Sequence, residues 1–455
     1  MTATRALVWV RAASPGTVEV VARAESGPEI RVRGPVQEDR DRTALLRLRG
    51  LVPGSRIRFS VRLLEAGGPG RAIHGSFRTP PRANVAAPVR MAFGGDLGGQ
   101  NVCRDLSEGF GIFHALDRYA PDVFVALGDM IYADGECLAH GRYRNAQLPG
   151  SAGAARDLES FRAHWRYARA DPSFRKLLSH TSYVATWDDH EVSDDFGPLH
   201  DTGAAPPEAA ATHLLPLGLR AFLEYNPVRS AGPASPHRLF RSLRFGRHLE
   251  LFVLDTRQYR DSNAAPDASR GPPKSLLGRA QRRWLERALA SSDATWKVIA
   301  SSVPLSIPTG VRPGEGRDGW ANGEGATGFE TELWEIVQSL EESSIRESVW
   351  ITADVHHAAL IRYTPLPVRD PALHLHEVVA PALWAGVGAF RGLDPSFGPE
   401  LRFVHAPQDP SALHSLPEAR GYMGFGALEV DASGRLTIRL LDAQGASLYA
   451  ETLLP

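Results

Sequence analysis

Along residues 1–84 the hydrophobic positions fall in short runs broken by turn residues. "ALVWVRA", "GTVEVVARA", "EIRVRG", "TALLRLRG", "RIRFSVRLL" and "GSFRT" are rich in Val, Ile, Leu and Phe, with "SPG", "VPGS" and "GGPG" between them. Branched and aromatic side chains favour extended backbone, and Pro-Gly pairs end it. The spacing predicts short strands closing on each other as a small sandwich. "TPPRANVAAP", residues 79–88, is a Pro/Ala linker. From residue 89 onward, apolar strands alternate with amphipathic helices. "VRMAFGGD", "PDVFVALGD", "TSYVATWDDHE", "WKVIASSVPL" and "ESVWITADVHH" read as strands, and "LRFGRHLELFVLDTR" as a hairpin arm. "GFGIFHALDRYA", "DLESFRAHWRYARA", "DPSFRKLLSH", "LGRAQRRWLERALASS" and "ETELWEIVQSLEES" read as helices, the last two with core aromatics. The tail "GYMGFGALEVDASGRLTIRLLDAQG" returns to antiparallel strands.

The expected architecture is therefore α/β, with an N-terminal β-sandwich at 1–84 and a catalytic domain at 89–455. "LRLRGLVPGSRIRFSVRL" has the strand–"L-x-P-G"–strand form of fibronectin-like modules. Gly/Pro-rich stretches at about 196–216, 261–276, 308–330 and 391–420 are long enough to be functional rims. "GWANGEGA", 319–326, lacks phosphate-loop spacing and reads as a mobile rim. "LHLH" is expected to be a strand with His374 and His376 on its wetter face.

Charge narrows the partners. The 51 basic and 52 acidic residues leave a net charge of −1, so no overall field draws in nucleic acid. A charged small molecule would need a local site. No run nears the roughly 18 apolar residues of a membrane span. The start, "MTATRALVWVRAASPG", lacks the grammar of a signal peptide. A cytoplasmic monomer is the expectation, or an exported, periplasmic protein if a leader has been removed. Cys103 and Cys137 cannot build a disulfide framework. Two free thiols are expected, ahead of a single bridge or a metal-ligand role.

The chemistry lies at the strand ends. Apolar runs terminate in Asp96, Asp129, Asp188 with Asp189, Asp255 and Asp354. A lone acid there is commonly a turn former. Several together, at the carboxyl ends of neighbouring strands, would meet in one crevice. Such anions repel unless a cation sits among them, and hard cations suit carboxylate oxygens. Tyr132 in "GDMIYADGE" adds a phenol able to bind ferric iron. Asp354 and His356 in "DVHH" are two apart and share a strand face. "DTRQYR" supplies Arg257, a partner for phosphate. "HEVSDD" is not the helical H-E-x-x-H zinc motif.

The order "FGGD … LGDMIYAD … WDDHEVSDD … DTRQYR … LGRAQRRWLERAL … WKVIASSVPL … ADVHHA" resembles the alkaline phosphatase D (PhoD-like) family of the metallophosphoesterase superfamily. The resemblance covers most of the chain. It implies a four-layer αββα metallophosphoesterase domain, phosphoester hydrolysis, and a site with iron and calcium; zinc or manganese are alternatives. By position, Asp129 would bridge metals, Tyr132 would bind iron, and Asp189 and Asp354 would be further ligands. Asp96 completes the set. His190 matches the superfamily's catalytic histidine, while His356 and Arg257 would contact phosphate. Two positions depart from the family pattern. Gly95-Asp96 replaces a common Ser-Cys, exchanging a thiolate for an oxygen ligand. Asp194 replaces an Asn.

The expected function is metal-dependent hydrolysis of phosphomonoesters or phosphodiesters by a metal-bound hydroxide. The alternatives are a purple-acid-phosphatase-like hydrolase, which the missing "GNH" and "GHxH" blocks disfavour, and a non-catalytic phosphate-binding protein with a degenerate site.

Overall fold

The alternation in the first 78 residues folds as its pattern dictates. Strands β1 (Arg5–Arg11), β2 (Gly16–Ala24), β3 (Ile30–Val36), β4 (Thr43–Arg49), β5 (Arg56–Glu65), β6 (Gly68–Pro69) and β7 (Ile73–Arg78) form two sheets. One pairs β1 with β4; the other runs β3-β2-β5-β6, with β7 also on β5. The "LVPGS" turn thus carries the chain from one sheet to the other. Every second side chain, including Val8, Val20, Leu46, Leu48, Ile57 and Phe77, points into a shared core. The structure is a computed structural model of the 455-residue chain. It describes every residue except 66–67, 151–152, 199–210, 229–236, 264, 266, 268–273, 310–317, 322–327 and 366–371.

The remainder is built on two larger sheets. In chain order its elements are β8 (Val89–Gly94), α1 (Ile112–Tyr119), β9 (Val123–Ala126), α2 (Leu158–Arg169), α3 (Pro172–His180), β10 (Ser182–Ala185) and α4 (Ala211–Tyr225). Then come β11 (Arg241–Phe245), β12 (Leu249–Val253), α5 (Gly278–Ser291), β13 (Trp296–Ala300), α6 (Glu330–Glu342), β14 (Glu347–Thr352), β15 (Ala358–Tyr363) and β16 (His374–Val379). The last are β17 (Pro399–His405), α7 (Leu416–Arg420), β18 (Gly424–Val430), β19 (Leu436–Asp442) and β20 (Ser447–Leu453). Strand order is β10-β9-β8-β18-β19-β20 in one sheet and β11-β12-β13-β14-β16-β15-β17 in the other.

The two sheets face each other across Met91, Phe93, Val125, Leu251, Val298, Ile351, Leu428 and Ile438. Their outer faces are covered by helices. Phe113, Phe161, Trp165 and Phe174 seal one side, and Leu285, Leu289, Leu333 and Ile336 seal the other. This is the four-layer αββα order. Strands with both faces covered read as unbroken apolar runs, and "VFVA" of β9 is buried throughout. The helix starts are set locally. Asp157 caps α2 in a reciprocal box with Ser160, and Asp171 caps α3 ahead of Pro172.

Three expectations need correction. Residues 211–216 begin α4, and the stretch 391–420 contains β17 and α7, so neither is a plain rim loop. The apolar residues of both stretches are what the Gly/Pro content concealed. In β16, His376 is buried and paired with Glu347 at 2.8 Å, not on a wet face. In "GWANGEGA", Trp320 and Ala321 are buried, and the remainder from 322 lies outside the described residues.

The sandwich is bolted to the larger part by polar contacts. Trp9 donates to the Glu224 carbonyl at 2.8 Å. Asp41 accepts from Arg11 at 2.9 Å, from Arg166 at 3.0 Å, and from the Tyr225 hydroxyl. Burial pushes the Asp41 carboxyl up, yet the hydrogen bonds from Arg11, Tyr225 and Arg166 outweigh it and hold the group at about 2. An unfolded aspartate titrates near about 3.9. A carboxyl held below its unfolded value adds stability above that value and loses it as pH falls through the folded one. Asp41→Asn is therefore expected to lower the urea midpoint at neutral pH. The gap from wild type should close as pH falls from about 4 to about 2. A gap independent of pH would mean that Asp41 contributes by shape alone.

Candidate metal centre

Strands β8, β9 and β10 run parallel, as do β12, β13, β14 and β16. Their carboxyl ends deliver Asp96, Asp129, Asp188 with Asp189, and Asp354 to one place. Asp129, Asp189 and His190 offer ligand atoms within 4.8 Å of one another, and so do Asp188, Asp189 and Asp354. A third such group, Asp189, Asp195 and Asp318, adjoins them. All of these carboxylates except Asp195 and Asp354 are buried to 3% exposure or less.

The backbone is bent to make this possible. Asp96, Asp129, Asp354 and His356 all have left-handed φ, at 64°, 52°, 77° and 57°. Aspartate and histidine tolerate this region better than most residues, and such strain gathers at functional sites. Gly128 sits at φ 120°, where a Cβ would lie 2.5 Å from the Asp188 Cβ. A Cβ on Gly99 would lie 2.3 Å from the Tyr132 ring. Both glycines permit close approach of site elements.

A second cluster lies near enough to the first for the Asp129 charge to act on Tyr132. The Tyr132 hydroxyl lies 2.9 Å from His356 Nε2, which lies 3.2 Å from Asp96 Oδ1. The other Asp96 oxygen, Oδ2, is buried with no hydrogen-bond partner. His356 Nδ1 is engaged by the Gly386 carbonyl, which fixes Nε2 toward the cluster. His190 is held likewise. Its Nδ1 meets Asp134 at 2.8 Å, its ring stacks on Tyr132 at 4.1 Å, and its Nε2 lies 3.6 Å from Asp194.

The electrostatics explain why a cation belongs here. Burial, then the charges of Asp189, Asp188, Glu191 and Asp96, push the Asp129 carboxyl well up. Burial and the carboxylates Asp129, Asp96 and Asp189 raise Tyr132, and burial with Asp188 and Asp189 raises Asp354. Groups this close cannot all be ionised without a counter-charge. The orphaned Asp96 oxygen, the phenol and the histidine offer a mixed O/N donor set, and Asp188, Asp189 and Asp354 an oxygen-only one. Both fit metal ions.

Arg257 is placed differently from the other expected residues. Its guanidinium is fully buried and donates to Asp188, to both Asp318 oxygens and to the Phe196 carbonyl. Asp255 stays out of the clusters. It accepts from Trp187 at 2.8 Å and from the turn amides of Arg257 and Gln258.

Comparison with known proteins follows the same line. A family model described as PhoD-like phosphatase matches residues 97–434. The chain belongs to the PhoD-like phosphatase family. It is 29% identical over 247 residues to alkaline phosphatase D of Bacillus subtilis (strain 168), a match covering 52% of this chain and 41% of that protein. The chain thus spans less than half of that curated relative's length. A solved structure titled "Structure of PhoD" superposes with TM-score 0.75 at 17% identity, covering 99% of this chain and 87% of that one. The purple acid phosphatase PPD1 from yellow lupin seeds superposes with TM-score 0.63 at 12% identity, covering 99% and 72%. These two establish a shared fold.

Within this PhoD-like frame, sequence reasoning assigned no partner to Asp318, Asp134 or Glu191, and ranked a single cysteine bridge behind free thiols. Asp318 anchors Arg257 from a loop with no periodic signal. Asp134 orients His190. Cys103 and Cys137 form a disulfide, so the free-thiol expectation is corrected. The bridge ties the segment after β8 to the segment after β9, and only the fold brings these loops together. Glu191 is the last of these. Its carboxylate accepts from the backbone N–H groups of Asp129, Met130 and Asp188 at 2.8–2.9 Å, lacing two strand ends together. The "WDDHE" run contained it, but only the fold shows what it holds. Glu191→Ala leaves three buried amides without acceptors, at about 1–3 kcal/mol each. Urea unfolding of chelator-treated protein should show a loss of at least about 3 kcal/mol. An unchanged midpoint would mean that other acceptors replace Glu191.

Proposed function

We propose that this PhoD-like chain is a metal-dependent phosphoester hydrolase, and that Asp96, Asp129, Tyr132, Asp189 and Asp354 hold its metal ions. The observation that carries this reading is the cluster of buried strand-end acids with the unpartnered Asp96 oxygen at its edge. Iron suits the Tyr132 phenol with Asp96 and Asp129, and calcium suits the carboxylate group. Zinc or manganese are the alternatives. Bound cations would supply Lewis acidity, neutralising phosphoryl charge and activating water.

The chain's own residues supply positioning and charge. His190, oriented by Asp134, presents Nε2 to a phosphoryl oxygen or leaving group. His356, oriented by Gly386, lies beside the Tyr132 hydroxyl and donates from the other side. Arg257 is assigned a positioning role. Bound to Asp188 and Asp318, it neutralises the acids behind the site and fixes the Asp188 carboxylate. Preorganised donors of this kind stabilise charge as it develops on oxygen.

Metal analysis of the purified protein, with parallel turnover of nitrophenyl phosphate and bis(nitrophenyl) phosphate, tests this. The native chain should carry metal and turn over at least one ester. Asp129→Asn should lose metal and fall by about 100-fold or more in turnover. A metal-free Asp129→Asn protein with full activity would overturn the reading.

The disulfide bears on location. Such bridges persist in oxidising compartments and are rare in the cytosol. No described helix is long and apolar enough to cross a membrane. We place the protein in an oxidising, exported setting, away from the cytoplasmic expectation. Native protein trapped with a thiol reagent before lysis should show no reactive thiol. Quantitative labelling of Cys103 and Cys137 would return it to the cytoplasm.

A further inference from the structure

At the far end of β9 and β10 from the metal centre lies a cavity of about 130 Å³ between the sandwich and the larger part. Its walls are mainly apolar. Val8, Phe59 and Phe77 come from the sandwich, and Leu178, Leu243 and Phe245 from the other side. Two residues with basic groups line it, Arg169 and Met1, whose α-amino group burial lowers to about 6. Arg169 is buried to 7% exposure and pairs with no carboxylate among the described residues.

A buried guanidinium without an anion is costly. Arg169 is partly compensated. Its Nη2 donates to the Tyr225 carbonyl at 3.3 Å and to Asn226 Oδ1 at 2.9 Å. The rings of Phe174 and Tyr183 lie 4.8 Å and 4.9 Å from its Cζ. Its Nε and Nη1 make no hydrogen bond of good geometry, and the Tyr183 hydroxyl is the protein oxygen that interacts with them from the same wall. Thr181, buried at 5% exposure on the same wall, also has an unpartnered hydroxyl. The carboxylates of this interface are taken elsewhere. Asp41 is bound by Arg11, Arg166 and Tyr225, and Glu224 by Arg162 and Arg220.

We propose that this cavity binds a small amphipathic monocarboxylate, its carboxylate on Arg169 and Thr181 and its alkyl tail between the two parts. A cavity near this size holds a benzene-sized molecule, so a tail of about four to six carbons fits. The apolar walls favour a singly charged head with a hydrocarbon tail over a doubly charged phosphate. Such a ligand would bridge the sandwich and the catalytic part, and would stabilise the folded chain by mass action.

Calorimetric titration of the metal-loaded protein with sodium hexanoate tests the site. We expect saturable binding at one site, with Kd on the order of 0.1–1 mM. 1-Hexanol should bind at least tenfold more weakly. Arg169→Gln, checked for native circular dichroism, should weaken hexanoate binding at least tenfold, and Thr181→Val about threefold. Asp129→Asn should bind hexanoate like wild type, because the metal centre is at the opposite strand ends. No saturation up to about 20 mM would overturn the proposal, as would equal binding of hexanol, or loss of binding in Asp129→Asn. Crystals grown with hexanoate that hold only water against Arg169 would also overturn it.

Discussion

The repulsion among carboxylates gathered at the strand ends is the constraint around which this structure is arranged. Two like charges about 4 Å apart cost about 4 kcal/mol at an effective dielectric of 20. Here Asp96, Asp129, Asp188, Asp189 and Asp354 share one buried pocket with Tyr132. Left alone, these groups would spread apart or protonate. The chain prevents the first outcome with fixed contacts. Glu191 binds three backbone amides across two strand ends. Arg257 and Asp318 clamp Asp188 from behind. The disulfide joins the loops after β8 and β9. With spreading prevented, protonation or a bound cation relieves the charge. Held in this way, the carboxylates keep a spacing at which several offer ligand atoms within 4.8 Å of one another.

This division of labour explains what the sequence could and could not disclose. The acids that meet at the centre follow apolar runs, so both their chemistry and their strand-end position are visible along the chain. Asp96, Asp129, Asp188, Asp189 and Asp354 were legible for that reason, as were β8, β9, β12, β13 and β14, which are mostly buried and mostly apolar, each with at most one charged residue. The supporting contacts depend on distance in space. Glu191 contacts Asp129 and Met130 across 62 and 61 positions. Arg257 contacts Asp318 across 61 positions. No local period reports such partners. Arg257 drew attention for its chemistry as a phosphate binder, and nothing in "DTRQYR" marks the acid that occupies it.

The sandwich poses the same problem at larger scale. Its strands were legible because alternation is local, and its core is self-contained. Its attachment rests on few contacts, notably Trp9 to Glu224 and Asp41 to Arg11, Arg166 and Tyr225. These lie in a turn, a strand and two helices, of which α4 was not read as a helix from the sequence. An interface of this kind is polar at its edges and incompletely filled at its centre, which is where Arg169 is left facing an apolar cavity. The metal centre and this cavity follow one rule with opposite signs. In each, charge of one sign is buried and rigidly held, with less compensation from the protein than the charge requires.

The disulfide also bears on the ligand at the first strand. Of the chain's two cysteines, both lie in the bridge. No thiolate is therefore free for the centre, and the position that resembles a family cysteine carries Asp96 instead. An oxygen ligand keeps its charge and its affinity for hard cations under oxidising conditions, where a lone thiolate is open to oxidation. The bridge beside the site and the acid within it are thus mutually consistent. Both thiols serve to restrain the loops, and the groups gathered at the centre are carboxylates and a phenol beside two imidazoles.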